Sequence, residues 1–191
     1  MKELIVIKRN RTLFMESSLQ RILEIFFIMP DKEFSLSEAA RLSGVKKSNA
    51  GGFLRFLEKR ELIIIETLSN LWRIRANLKS QMFLRSKIVY NLNLIYQSGL
   101  IDFLNDYYQN PRAIILFGSF RKGEDISTSD IDIAVEHRDD YEVVRLDDLA
   151  GFEKVFKRSI QLHLFNPKKT DKNVLINITN GIVLNGFLEL K

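Results

Sequence analysis

Apolar residues recur every three or four positions in the first third of the chain, which is typical of amphipathic helices. Residues 17–29 predict a first helix, since Pro30 lies just beyond their end. A second, shorter helix is predicted to end at Gly44. Serines precede both segments and can cap their first turns. The predicted apolar face of the second helix comprises Leu36, Ala39, Ala40 and Leu42.

Residues 46–60 predict a third helix, after which the period of the pattern changes. Its predicted apolar side comprises Phe53, Leu54, Phe56 and Leu57. Residues 62–75 alternate apolar and polar side chains, which predicts two β-strands joined by a turn at residues 68–70. Three helices followed by a hairpin are typical of a winged helix-turn-helix, and we assign residues 1–79 to such a domain.

Residues 80–110 return to helical spacing and predict a connector of two helices separated by Gly99. Strands are predicted at 113–117, 131–136 and 159–165, with a helix over 146–158. The segment 174–186 is predicted to be helical in spite of its β-branched residues. Residues 111–191 are therefore expected to form a mixed β-sheet flanked by helices, and the whole chain to be α+β.

Composition excludes several classes of function. The chain contains no cysteine, which excludes disulfides, thiolate metal sites and a cysteine nucleophile, and its two histidines make a histidine zinc site improbable. No apolar run approaches the roughly 20 residues that span a bilayer, so no membrane partner is expected. The first residues lack the apolar core of a signal peptide, and we expect a cytoplasmic protein. Any metal is expected to bind carboxylates.

Basic residues concentrate near the N-terminus. Residues 1–79 contain 15 lysines and arginines against 9 acids, whereas residues 80–191 contain 14 against 15. This asymmetry indicates that the first part of the chain meets a polyanion while the second part has a different task. The alternative is a basic surface that is merely solvated.

One segment, residues 116–136, combines a glycine-serine pair with a pair of aspartates. Gly118 and Ser119 are followed by ten residues and then by Asp130, Ile131 and Asp132. Because residues two apart on a strand point to the same face, the two carboxylates are expected to converge. Paired carboxylates suit Mg²⁺ or Mn²⁺, which prefer oxygen ligands and leave positions for phosphate oxygens. The glycine lets backbone amides approach a triphosphate closely, and the serine hydroxyl adds a hydrogen bond.

This spacing resembles the DNA polymerase β-type nucleotidyltransferase superfamily, in particular its minimal nucleotidyltransferase branch, whose signature is Gly-Ser, about ten residues and Asp-x-Asp. The resemblance covers about residues 111–190. It implies that Gly118 and Ser119 contact the phosphates of a nucleoside triphosphate and that Asp130 and Asp132 bind the metals. In the family an acceptor hydroxyl attacks the α-phosphate and pyrophosphate leaves, with no protein nucleophile.

The loop after the glycine-serine pair is strongly charged. Arg121 and Lys122 are assigned to phosphate contact, with solvated loop residues as the alternative. Glu124 and Asp125 are expected at the surface, although Glu124 could serve as a distal metal ligand.

The family usually carries a third carboxylate on a later strand, and this chain departs from that pattern. The corresponding strand, residues 159–165, contains no acid, and Gln161 and His163 alternate onto the face expected to meet Asp130 and Asp132. Gln161 offers a neutral oxygen to a metal, and neutral His163 can accept a proton. An alternative for His163 is a half-buried strand residue bonded to the backbone. We expect nucleotide binding to persist and transfer to be slow or absent without a helper.

The candidate DNA-binding residues belong to the third helix and the hairpin. A winged helix places its third helix in the major groove of duplex DNA while nearby cations hold phosphates. The candidates are Lys46, Lys47, Ser48 and Asn49 at the helix start, Arg55 within it, and Arg73 and Arg75 on the hairpin. Winged helices also serve as protein-interaction or dimerisation modules, and a homodimer would fit paired domains.

Two functions follow from these observations. The first is a transferase that moves a nucleoside monophosphate from a nucleoside triphosphate onto an unknown acceptor. The second is a regulator in which a weakly catalytic or inactive transferase domain binds a nucleotide and the basic domain binds DNA. Besides a nucleoside triphosphate and duplex DNA, the resemblance implies a candidate protein partner, since minimal nucleotidyltransferases often act as antitoxins that modify a HEPN-type toxin.

Overall fold

The computed structural model describes residues 17–69, 71–137 and 140–189. Packing divides the chain into two compact units. Among the described residues, the N-terminal unit extends from Ser17 to Tyr90 and the C-terminal unit begins at Asn91. The predicted helical connector is thus shared between the two units. Within the described residues, no helix combines the length and apolar character that crossing a membrane requires.

Helices and a small sheet alternate in the N-terminal unit. In chain order, its elements are α1 Ser18–Ile28, β1 Glu33–Phe34, α2 Leu36–Ser43, α3 Lys47–Lys59, β2 Ile63–Leu68, β3 Leu71–Ala76 and the first part of α4, Gln81–Ser98. The three strands are antiparallel in the order β1-β3-β2. Ser17 and Ser35 cap α1 and α2 with capping boxes, and Gly44 ends α2 at φ 65°. The predicted hairpin turn includes Asn70, which lies outside the described residues.

Two apolar side chains assigned to the interior of this unit lie at its surface. Leu42 is 43% exposed and Phe56 is 45% exposed. Helix α3 packs through Ala50, Leu54 and Leu57. Since a helix turns by about 100° per residue, that face leaves Phe56 on the far side. In α2 the buried positions are Ala39, Ala40 and Ser43, which leaves Leu42 at the edge for the same reason.

A five-stranded mixed sheet organises the C-terminal unit. After α4 its elements are α5 Leu100–Tyr107, β4 Ala113–Phe117, α6 Gly118–Lys122, β5 Ile131–Glu136, β6 Glu142–Val144, α7 Ala150–Phe156, β7 Ile160–Phe165, α8 Lys172–Thr179 and β8 Ile182–Gly186. The strand order is β6-β7-β5-β4-β8. Strands β5 and β7 are parallel, and the other pairs are antiparallel. This arrangement confirms the α+β class and the mixed sheet.

Apolar clusters cover both faces of this sheet. Ile131, Ile133 and Val135 of β5 pack in one cluster, whereas Ala134 of the same strand packs in the other. The second cluster also contains Phe165 and residues of α8 and β4. Strand β5 is therefore buried on both sides, as is typical of a central strand with a parallel neighbour.

The prediction that residues 174–186 form one helix is wrong in its second half. Helix α8 ends at Thr179, and Ile182–Gly186 forms the edge strand β8. Gly181 lies at the change of direction, where a Cβ atom would approach the Leu116 carbonyl oxygen to 2.6 Å. The β-branched residues Ile182 and Val183 then suit a strand paired with β4.

Candidate active site

The predicted glycine-serine turn and one predicted aspartate are in direct contact. Strand β4 ends at Phe117, which pairs with Asp132 across the sheet. Gly118 has φ +72°, and a Cβ atom there would lie 2.1 Å from Asp132 Oδ2. Both the backbone conformation and the contact require glycine at this position. The carboxylate of Asp132 therefore packs directly against the turn.

The residues after Gly118 continue into the short helix α6. Ser119 is half-buried, Lys122 is exposed, and Arg121 is half-buried. Within the described part of the chain, the Arg121 Nε atom is buried and has no hydrogen-bond partner. Glu124 is exposed, in agreement with the expected surface position.

Asp130 lies just before β5 and is held by the neighbouring parallel strand. Gln161 Nε2 donates to Asp130 Oδ2 over 2.5 Å. In the register of the two strands, Gln161 pairs with Asp132. The structure thus brings Gln161 to the aspartate pair, where its amide acts as a hydrogen-bond donor to a carboxylate. This role differs from the expected oxygen ligand.

His163 occupies the next position on the same face of β7 and is 8% exposed. Its Nδ1 lies 2.7 Å from the Tyr141 hydroxyl, and its Nε2 lies 3.4 Å from Asp132 Oδ1. If the phenol donates to Nδ1, the neutral ring carries its proton on Nε2, facing the carboxylate. The other tautomer would turn a lone pair toward the carboxylate, which is electrostatically unfavourable. We therefore orient the Nε2–H of His163 toward Asp132, at a distance too long for a hydrogen bond. The side chain bonds Tyr141, not the backbone.

Tyr141 is a site residue that the sequence did not reveal. Burial and then the negative charge of Asp132 raise the pKa of its hydroxyl, so the phenol is neutral near pH 7. The residue reaches His163 because the following strand, β6, pairs antiparallel with β7. Nothing in the local sequence around Tyr141 signals this long-range pairing.

Asp125 was predicted at the surface, and that prediction is wrong. Its side chain is 1% exposed and lies 3.5 Å from Arg158, whose side chain is 4% exposed. Asn91 Nδ2 donates to Asp125 Oδ1 over 3.0 Å and to the Phe120 carbonyl oxygen over 2.8 Å. A buried carboxylate requires such partners, because an unpaired charge in the interior is costly.

The donor set fits a cation held by two carboxylates. Asp130 and Asp132 offer oxygen ligands of the kind that Mg²⁺ and Mn²⁺ prefer. Within residues 17–69, 71–137 and 140–189, no three histidine or acidic side chains converge as a metal cluster. Substrate oxygens and water would therefore supply the remaining ligands.

The seven candidate DNA-binding residues separate into two groups. Lys46, Lys47, Ser48 and Asn49 are exposed together at the start of α3. The three arginines are engaged with other side chains. Arg55 lies 2.8 Å from Glu58 and 4.4 Å above the Trp72 ring. Arg73 pairs with Glu33, and Arg75 pairs with Glu66 at 3.0 Å.

Residues 98–184 match the family model of the nucleotidyltransferase domain. The matched segment includes the glycine-serine turn, both aspartates and the strand that carries Gln161 and His163. The match supports the nucleotidyltransferase superfamily for this part of the chain. Comparison with curated proteins and with solved structures gave no match.

Proposed function

We propose that the C-terminal unit binds a nucleoside triphosphate at the glycine-serine turn and slowly transfers its nucleoside monophosphate to an acceptor hydroxyl, with release of pyrophosphate. The contact between Gly118 and Asp132 carries this proposal. It joins a backbone turn suited to phosphate and a carboxylate suited to a cation in one place. The family match over residues 98–184 supports the same reaction class.

Each residue has a defined role in this proposal. The backbone of Gly118 and the hydroxyl of Ser119 hold phosphate oxygens, and Arg121 and Lys122 offset triphosphate charge. The carboxylates of Asp130 and Asp132 would hold Mg²⁺ or Mn²⁺. A bound divalent cation would offset charge on the phosphates and on the attacking oxygen. Gln161 orients Asp130 through an N–H hydrogen bond, and the His163 ring lies beside Asp132 with its Nε2 atom 3.4 Å from Oδ1.

We expect the protein to retain nucleotide affinity but to transfer the nucleoside monophosphate slowly. The strand on which the family carries its third acid here presents Gln161 and His163, and the Gln161 amide donates an N–H hydrogen bond to Asp130. Neither this neutral amide nor an Nε2-protonated His163 supplies the negative charge that favours a deprotonated acceptor. The transition state therefore loses more stabilisation than the bound substrate. Binding and catalysis should separate in this protein.

Labelled ATP, GTP, CTP and UTP test the proposal directly. The pure protein is incubated with each nucleotide and with magnesium or manganese, with and without candidate partners. Binding without multiple-turnover transfer is expected. Gln161→Asp and His163→Asp, made separately, should raise transfer to a generic acceptor if the missing carboxylate limits the reaction. Robust turnover by the unmodified protein alone would show that two carboxylates suffice.

The second candidate function is a nucleotide-binding regulator or antitoxin-like protein. The start of α3 favours it, because Lys46 and Lys47 are exposed beside the polar Ser48 and Asn49. We propose that this surface binds duplex DNA, with the N-terminal unit acting as a winged helix-turn-helix. A homodimer would place two such surfaces on one operator. A neighbouring gene for a small helical HEPN-type protein would favour the antitoxin version.

A further inference from the structure

We infer that Asp125, Arg158 and Asn91 are positioning residues for the nucleotide site. They form a buried network that fixes the segment between the glycine-serine turn and Asp130. This inference rests on the proposed nucleotide site and adds residues that the Gly-Ser and Asp-x-Asp signature does not contain.

The ion pair at the centre of the network is buried. Arg158 Nη2 lies 3.5 Å from Asp125 Oδ2, with both side chains nearly inaccessible to solvent. Arg158 Nη1 also donates to the Ser127 carbonyl oxygen over 3.1 Å. The arginine thus holds the connecting segment through one side chain and one carbonyl. Arg158 precedes Gln161 by three residues, so the same anchor leads directly into β7.

Asn91 ties the other end of the segment. Its Nδ2 donates to the carbonyl oxygen of Phe120, the residue after Ser119, over 2.8 Å. The same nitrogen donates to Asp125 Oδ1 over 3.0 Å. The segment 120–127 is therefore fixed near its start by Asn91 and near its end by Arg158. Asp125 accepts a hydrogen bond from Asn91 and forms the ion pair with Arg158.

The position of the network indicates more than a contribution to stability. A buried ion pair is weak evidence for stability, because well-packed apolar replacements are often equally stable. Its geometric effect is specific, since its hydrogen bonds end one residue after Ser119 and three residues before Asp130. Small misplacements of binding groups can cost large factors in function. The network therefore sets the distance between the phosphate turn and the carboxylates.

A double substitution separates positioning from stability. Asp125→Asn or Arg158→Met alone removes one charge of the buried ion pair and should lower the Tm by about 10 °C or more. Asp125→Asn with Arg158→Met removes both charges of this ion pair, so most of the lost Tm should return. Affinity for fluorescent ATP, GTP, CTP or UTP with Mg²⁺ should nevertheless stay at least about tenfold below wild type. Backbone amides of residues 118–130 should exchange hydrogen faster.

Two further variants serve as a control and as an alternative test. Glu153→Gln is the matched control, because Glu153 accepts from the backbone of Ile160 at the start of β7 over 2.8 Å. It should leave nucleotide affinity unchanged. Asn91→Ala keeps the ion pair and removes the bond to Phe120, so it serves if the double variant does not fold. It should also weaken nucleotide binding.

The outcomes are distinct. A folded double variant with wild-type affinity overturns the inference while leaving the nucleotide site intact. If the wild-type protein binds none of the four nucleotides, the proposed function fails. In that case, faster exchange at residues 118–130 in the double variant still supports the network as the anchor of this segment, and unchanged exchange overturns it.

Discussion

The charged side chains considered for function have different surroundings in the two units. In the N-terminal unit, the arginines of β3 pair with glutamates at the surface, and two lysines project from the start of α3. In the C-terminal unit, Asp125, Arg158 and His163 are buried and bonded to specific partners. Exposed ion pairs contribute about 0–1 kcal/mol and are screened by salt, whereas buried polar groups depend on their partners. The first arrangement suits long-range attraction of a polyanion, and the second suits precise positioning of a substrate.

Glycine substitutions give the sharpest contrast between the units. Gly118→Ala should abolish nucleotide binding, with a loss of roughly 100-fold or more, because the new Cβ atom displaces Asp132 and strains a positive φ. Gly52→Ala in α3 should leave nucleotide binding unchanged and stabilise the protein. No atom lies within 4 Å of a Cβ atom built on Gly52, so alanine should stabilise the helix by about 0.5–1 kcal/mol.

Nucleotide titration and thermal unfolding of both variants check this contrast. Gly52→Ala serves as the control for Gly118→Ala, since both changes add one methyl group. Retained nucleotide affinity in Gly118→Ala would contradict the assignment of the turn to phosphate binding. Lost nucleotide affinity in Gly52→Ala would contradict the separation of the two functions.

The aspartate pair should control the metal dependence of binding. Asp130→Asn with Asp132→Asn removes two negative charges and should make nucleotide affinity the same with and without Mg²⁺. Isothermal titration in magnesium and in EDTA measures this difference. Glu124→Gln is the control, because Glu124 is exposed in the same loop. Persistent metal-dependent affinity in the double variant would remove the metal assignment.

Local sequence patterns predicted the elements of both units better than they predicted the polar interior. The helical period identified α1 and α3, and the two-residue period identified the hairpin, because each reflects one buried face. The strands at 113–117 and 131–136 were identified as short apolar runs, as expected for strands buried on both faces. The prediction of one helix over residues 174–186 was wrong because Gly181, which close packing requires, separates a helix from a strand. Leu42 and Phe56 were assigned to apolar faces but are exposed, because the sequence of a short helix defines the orientation of its apolar face poorly.

The candidate site shows the same division. Strand periodicity placed Asp130 with Asp132 and Gln161 with His163 on one face of their respective strands. The resemblance to the nucleotidyltransferase family then set these two strands side by side. Tyr141 and Asp125 were missed as site or interior residues. Their partners lie 22 and 33 residues further along the chain, at His163 and Arg158. Such pairings depend on sheet order, which the local pattern does not encode.

The basic surface of α3 should respond to salt. Lys46→Ala with Lys47→Ala should weaken duplex DNA binding and flatten the dependence of log affinity on log salt by roughly 0.9 for each phosphate contact removed. Arg73→Ala is the matched control, because Arg73 is already paired with Glu33. Fluorescence anisotropy with a labelled duplex at several salt concentrations measures both slopes. A protein that ignores DNA even at low salt would make this unit a protein-interaction module.

Serine substitutions in the two units should give the smallest difference in effect, and the effect of Ser35→Ala on stability should depend on pH. Ser35 caps α2 and exchanges hydrogen bonds with Glu38, whose pKa is lowered first by the backbone N–H of Ser35 and then by its hydroxyl. Ser35→Ala should cost about 1 kcal/mol of stability at neutral pH and leave nucleotide affinity unchanged. Ser119→Ala should lower nucleotide affinity with little change in stability, since no side-chain cap bond is seen at α6.

The pH dependence of stability tests whether the Ser35–Glu38 cap causes the stability loss in Ser35→Ala. Because the folded state lowers the pKa of Glu38 below its unfolded value, this contribution to stability is present above the unfolded pKa and is lost as the pH falls through the lowered value. Glu38→Gln should therefore flatten the acid side of the stability curve. Ser35→Ala should flatten it only in part, since the backbone N–H that lowers the pKa most remains. Denaturant unfolding from pH 7 to pH 3 measures both curves, and equal acid slopes in wild type and Glu38→Gln would show that the cap is uncoupled from stability.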